Sequence, residues 1–156
     1  MNAATTRDAP TVPQVDVQIA ASPSPSPNAL IAWAGAAMAG DGRRLCIRVV
    51  DETEARELNG RFRDGVNATN VLSFPAELPD VLGDIAVCAA VVVREAKAQN
   101  KPADTHFAHM VVHGVLHLKG MDHDTRAQAQ KMEAAETKIL RAFGFGDPYN
   151  AAVAAC

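Results

Sequence analysis

Apolar and polar residues alternate from Val15 to Ile19, the period of a strand with one face buried. Ser22-Pro23-Ser24-Pro25-Ser26-Pro27 carries no apolar period, and each proline fixes φ at about −65°, so this stretch predicts an extended surface connector. Leu30, Ile31, Trp33 and Met38 then supply the apolar contacts of a helix that Asn28 can cap and that runs to Ala39. Trp33, in so alanine-rich a helix, reads as a core contact rather than a stacking surface. Gly40-Asp41-Gly42 is a turn, and Leu45 to Val50 is a second strand. Asp51 with Glu54 three residues on has the form of a capping box, opening a helix to about Arg63. Thr69 to Pro75 and Gly83 to Cys88 read as two more strands, an antiparallel pair across a loop that contains Pro79. Helices follow over Ala89 to Asn100, stopped by Pro102, and over Thr105 to Leu118. A last helix is capped by Asp124 and runs to Phe143, with Met132, Ala135, Ile139, Leu140 and Phe143 as its buried stripe and Gly144 at its end.

These elements predict an α/β fold: a single domain with a small mixed sheet of about four strands, helices packed against it, and the histidine-bearing helix at its centre. The 156 residues suit one domain. Residues 1–13 form a polar N-terminal tail with neither a signal peptide nor an anchor, 14–147 the domain, and 148–156 a C-terminal tail. Cys46, Cys88 and Cys156 form no CxxC pair and read as reduced thiols of a cytoplasmic protein. The net charge of −3 changes the picture more. A nucleic-acid partner, held mainly through phosphates, would need a local basic patch or help from another protein. Arg43, Arg44, Arg48, Arg56, Arg61 and Arg63 are such a concentration, but Asp51, Glu52, Glu54 and Glu57 are interleaved with them, the pattern of a salt-bridged solvent face.

All five histidines fall between His106 and His123, and His106, His109, His113 and His117 form one stripe on the predicted helix. No Lys, Arg, Asp or Glu interrupts that helix between Thr105 and Leu118, so it reads as buried with histidine as its one strongly polar face. His113 and His117, four apart, can aim at one ion. Gly120 can take a positive φ and let the chain fold back to bring His123 as a third nitrogen. Three histidines leave a tetrahedral zinc one open position for a water of lowered pKa, the mark of a catalytic rather than a structural site. Imidazole also suits nickel, copper and iron. His109 is placed to support a ligand from one turn away, whereas His106 reads as a boundary residue. Asp122 and Asp124 flank His123 and can orient an imidazole or take a proton, Asp124 serving more simply as the helix cap. The stretch shares its ligand spacing with the peptidase motif HExxHxxGxxH, but Gly114 stands where that motif has its glutamate base.

The stretch HGVLHLKGMDH, with LNGRFR, TNVLSFP and LGDI upstream and MEAAETKIL downstream, resembles the YbeY family of bacterial endoribonucleases and ribosomal-RNA maturation factors, from about Val15 to Phe145. The resemblance implies a metal-dependent endoribonuclease specific for single strands, acting in 3′-end maturation of 16S ribosomal RNA and in late quality control of the 70S ribosome. It implies His113, His117 and His123 as zinc ligands, one ion per chain, and Arg63 beside them as the group that neutralises the scissile phosphate. Implied partners are ribosomal RNA and the small ribosomal subunit, with a ribosomal protein or a GTPase as candidate protein partners and no membrane. The loop Asp64-Gly65-Val66-Asn67-Ala68 departs from the family's lysine-bearing loop. Ser73 and Asp84, in the two matching strands, are candidates for substrate contact or for turn capping. Two rival readings share the histidines: a metallopeptidase with an unusual base, and a ribosome-binding assembly factor whose structural metal takes a fourth ligand, His109 or Cys88.

Overall fold

The computed structural model describes residues 13–149, apart from Asp64, Val66, Asn67 and the side chain of Arg63. The readings of residues 1–12, 150–156 and most of the 64–68 loop therefore lie outside the described residues. In chain order the elements are β1 (Gln14–Ile19), α1 (Pro27–Met38), β2 (Arg44–Val50), α2 (Glu52–Arg63), β3 (Val71–Pro75), β4 (Val81–Cys88), α3 (Ala89–Ala98), α4 (Ala103–Leu118) and α5 (Arg126–Ala142). The strands form one mixed sheet in the order β1-β2-β4-β3. β1, β2 and β4 run parallel, and β3 lies antiparallel to β4 on the edge.

Two caps differ from the expected ones. Ser26, not Asn28, caps α1: its hydroxyl accepts from the Ala29 amide at 3.1 Å, and Pro27 takes the first helical turn, where a missing N–H costs nothing. The serine-proline stretch is accordingly not wholly a surface connector, and Pro25 is buried. Thr125, not Asp124, caps α5 through a reciprocal box in which its hydroxyl accepts from the Gln128 amide and the Gln128 side chain accepts from the Thr125 amide, both at 3.1 Å.

Strand alternation sorts the sheet into two faces. Val17, Ile47, Ile85 and Ser73 lie side by side across all four strands on the face that α1 and α4 cover. That face holds the main core, where Leu30, Trp33, Met38, Phe107, Val111 and Val115 meet the strands. Full burial of a side chain such as Phe107 contributes about 1.5–3 kcal/mol. On the other face, Leu72, Ala86, Cys88, Ala55 and Val91 form a smaller cluster under α2 and α3. Of the arginine concentration, Arg48 pairs with Glu54 at 2.6 Å and Arg56 with Glu52 at 3.8 Å, as their interleaved acids suggest, and Arg43 pairs with Asp41 of the turn before β2 at 2.7 Å.

α4 lies between β3, β4 and the helices α1, α3 and α5. Its one glycine in the helix interior makes the close approach possible. The Gly114 carbonyl accepts from the Ser73 hydroxyl at 3.2 Å. A Cβ at 114 would stand 3.1 Å from Ile85 Cδ1 and 3.3 Å from Ser73 Oγ. Ser73 is thus a buried tie between strand and helix. Among the described residues, no helix is long and apolar enough to cross a membrane.

Candidate metal centre

α4 ends in a turn that helps to build the site. Gly120, at φ 100°, lets its amide donate to His117 O and the Met121 amide donate to Leu116 O, both at 3.0 Å, the paired bonds of a Schellman motif. That turn brings the Met121 carbonyl within 2.7 Å of His117 Nδ1. A carbonyl only accepts, so His117 carries its proton on Nδ1 and its Nε2 keeps the lone pair. Asp122, expected as a possible orienting group, is at 3.4 Å from the same nitrogen, and the carbonyl makes the stronger bond.

His113 is fixed in the same sense by a side chain. Its Nδ1–H donates to Glu136 Oε2 at 2.6 Å, which again leaves Nε2 as the ring nitrogen that can offer a lone pair to an ion. Glu136 comes from α5 and has no exposed surface. Burial pushes its carboxyl up, but hydrogen bonds from His109, His113 and Tyr149 outweigh burial and hold it at about 2. His109 Nε2–H donates to Glu136 Oε1 at 2.9 Å, and the Tyr149 hydroxyl donates to the same oxygen. Burial and this bond push the Tyr149 hydroxyl far above its usual range, so it remains a donor.

The rings of His113, His117 and His123 form a near-equilateral triangle, with centroids 5.9, 5.4 and 5.6 Å apart. Two imidazoles bound through nitrogen to a tetrahedral zinc at about 2.0–2.1 Å would have centroids about 5 Å apart. The triangle is a little wider than that, and among the described residues no three His, Cys, Asp or Glu side chains stand close enough to form a finished metal site. The donor set nevertheless fits a zinc-like ion in kind, with three imidazoles, two of them turned by Nδ1 hydrogen bonds so that Nε2 is the free nitrogen. Of the two candidate fourth ligands, Cys88 lies in the cluster on the far face of the sheet, while His109 gives its Nε2 to Glu136 and keeps a buried Nδ1 with no hydrogen-bond partner among the described residues. His113 and His123 line a cleft of about 490 Å³ together with Asn70, Met132, Glu133, Glu136 and Tyr149.

The sequence model described as "Endoribonuclease YbeY" matches residues 28–144. The chain belongs to the YbeY family. Among proteins named Endoribonuclease YbeY, it is 48% identical to that of Halorhodospira halophila over 142 residues, which is 85% of this chain and 92% of that one. It is 46% identical to that of Pseudomonas syringae pv. tomato, with 87% of each chain covered. It is 43% identical to that of Cellvibrio japonicus, over 89% of this chain and 84% of that one. The fold matches the solution structure of TM1509 from Thermotoga maritima with a TM-score of 0.58 at 24% identity, covering 88% of this chain and 99% of that one.

The motifs that carry the YbeY resemblance converge only in part. Arg63 is the last residue of α2, and its side chain lies outside the described residues. The segment after it reaches the cleft at Asn70, whose amide donates to Glu95 Oε1 at 3.0 Å. Glu95 also accepts from His106 Nε2 at 2.8 Å, so one carboxylate of α3 ties the start of β3 to α4. His106 is therefore buried, not the boundary residue its position suggests, and burial pushes its pKa down. Asp84 lies on the opposite face of the sheet, in a separate groove with Arg48, Phe62 and Phe74. Sequence reasoning passed over Glu136, Tyr149, Glu95 and Asn70. For Glu136 a signal existed: Met132, Glu136 and Leu140 fall four apart, which sets an acid on the apolar stripe of α5.

Proposed function

We propose that this chain is a metal-dependent endoribonuclease that cuts single-stranded RNA, acting in maturation of the 3′ end of 16S ribosomal RNA and in late quality control of the 70S ribosome. The observation that carries the reading is the triangle of three imidazoles, two of which, His113 and His123, line the cleft. Relatives named as endoribonucleases support the substrate class. His113, His117 and His123 are the residues that would hold one divalent ion, zinc by donor type, with other transition metals able to take the same nitrogens. When bound, such an ion supplies Lewis acidity toward a phosphoryl oxygen and a water of lowered pKa.

The chain's own residues do the remaining work. The Met121 carbonyl and the Glu136 carboxylate hold two imidazoles in register. Arg63, at the end of α2, would bind the scissile phosphate through its guanidinium and neutralise the charge that grows there. Asn70, held by Glu95, forms the rim of the cleft near the strand that follows the Arg63 loop. Asp122, half exposed beside His117 at 3.4 Å, is a carboxylate that could accept a proton from the attacking group.

The test compares purified wild type, His117→Ala and Arg63→Ala on a 3′-extended fragment of small-subunit ribosomal RNA. Cleavage by wild type, its loss in His117→Ala, and a fall of about 10²-fold or more in Arg63→Ala are expected. Equal cutting by wild type and His117→Ala would remove the histidines from the reaction. Cutting by none of them would move the chain toward a ribosome-binding factor. A 2′-deoxy residue at the cleavage position separates the two nucleophiles, because continued cutting excludes the neighbouring 2′-hydroxyl.

A further inference from the structure

Among the described residues Glu136 is the only buried carboxylate. It shares the inward stripe of α5 with Met132 and Leu140, both fully buried, and an apolar side chain would fill such a place at less cost in desolvation. Yet every donor that reaches it converges from the direction of the histidine helix or the cleft. Oε2 accepts from His113 Nδ1 at 2.6 Å. Oε1 accepts from His109 Nε2 at 2.9 Å and from the Tyr149 hydroxyl. Tyr149 is itself anchored, its amide donating to Asp147 Oδ1 at 2.8 Å.

We propose that Glu136 is a positioning residue of the three-histidine centre: it locks His113 in the Nδ1–H tautomer and so turns Nε2 toward His117 and His123, while His109 and Tyr149 hold the carboxylate in place. The inference rests on the reading of those three histidines as a metal site. The geometry follows from elementary constraints. A carboxylate only accepts, so the nitrogen facing it must carry the proton, and a neutral imidazole then has one lone pair left, on Nε2. The buried negative charge beside His113 would also offset the charge of a divalent ion. His117 receives the same orientation from a backbone carbonyl that no substitution of side chain removes. Glu136 is thus the orienting contact that mutation can reach.

The experiment measures zinc affinity of the full chain by competition with a chromophoric chelator, for wild type, Glu136→Gln and Tyr149→Phe, each checked for folding by circular dichroism. Glutamine offers one acceptor where the carboxylate offers two and places an amide donor against a histidine proton. Glu136→Gln is expected to bind zinc about 10–100-fold more weakly. Tyr149→Phe removes one of the two groups that hold the carboxylate but keeps its bond to His113, and is expected to weaken zinc binding less than Glu136→Gln does. Equal affinity in wild type and Glu136→Gln overturns the proposal, as does a loss in Tyr149→Phe as large as in Glu136→Gln, which would mean general loosening of the network. Nitrogen-15 spectra of the imidazoles of zinc-free wild type give a second readout that stands even if Glu136→Gln does not fold. The Nδ1–H tautomer at His113 is expected, and the Nε2–H tautomer there overturns the proposal. Failure of wild type to bind zinc at all overturns the metal reading, and with it this inference.

Discussion

At position 114 the histidine helix presses its backbone onto the sheet, with Ile85 Cδ1 at 3.1 Å and Ser73 Oγ at 3.3 Å from where a Cβ would stand. Ile85 is fully buried and Ser73 is tied to the Gly114 carbonyl, so neither neighbour has room to retreat. Gly114→Val is expected to cost about 1–3 kcal/mol through overpacking, read as a melting temperature lower by several degrees. An unchanged melting temperature would mean that α4 can lift from β4 at no cost. The same contact explains why this HxxxH helix lacks the peptidase glutamate: a carboxylate at 114 would start out in the packed layer between α4 and the sheet. At this scale the pairing of His113 with His117 as candidate ligands was readable because helical spacing is a local rule. Glu136 was readable only as an acid on an apolar stripe; its role was not, because it depends on a contact 23 residues distant in sequence, between α5 and α4.

The elements themselves follow their apolar periods closely, and the departures sit at their ends, where several polar residues compete to cap one helix. Asp124 and Thr125 are adjacent and both are good caps, but only Thr125 has a glutamine three residues on to complete the reciprocal pair. Thr125→Ala should therefore destabilise the protein by about 0.5–2 kcal/mol, while Asp124→Ala stays within about 0.5 kcal/mol of wild type, measured as midpoints of urea unfolding. The reverse order would restore Asp124 as the cap. Since α5 carries Glu136, a frayed start to this helix reaches the metal centre through the placement of that carboxylate. Ser26 displaced Asn28 for a comparable reason: Pro27 fits the first turn of α1 and sets the cap just before it. Mixed pairing in the sheet was readable in outline, since a short loop joins β3 to β4 whereas the helices between β1, β2 and β4 allow parallel pairing. The strand order was not, because sequence periodicity says which face of a strand is buried but not which strand lies beside it.

As a whole the molecule carries a net charge of −3 and spends many of its arginines internally, on Asp41, Glu54 and Glu52. On the proposed function, such a net charge gives RNA little long-range attraction, and the grip on a single strand is expected to come from few phosphate contacts at the cleft, Arg63 among them. Each phosphate neutralised on a single strand contributes about −0.7 to the slope of log affinity against log salt. With about two contacts, raising sodium chloride from about 50 to about 200 mM should weaken binding of an unstructured RNA by less than about twenty-fold, against the 10³-fold or more typical of proteins with extended basic surfaces. Arg63→Ala should flatten the slope by about 0.7, whereas Arg48→Ala, whose guanidinium is held by Glu54 at 2.6 Å, should leave it unchanged. Fluorescence anisotropy across a salt series reads all three slopes. A steep slope in wild type that survives Arg63→Ala would mean that RNA is held by cations away from the cleft.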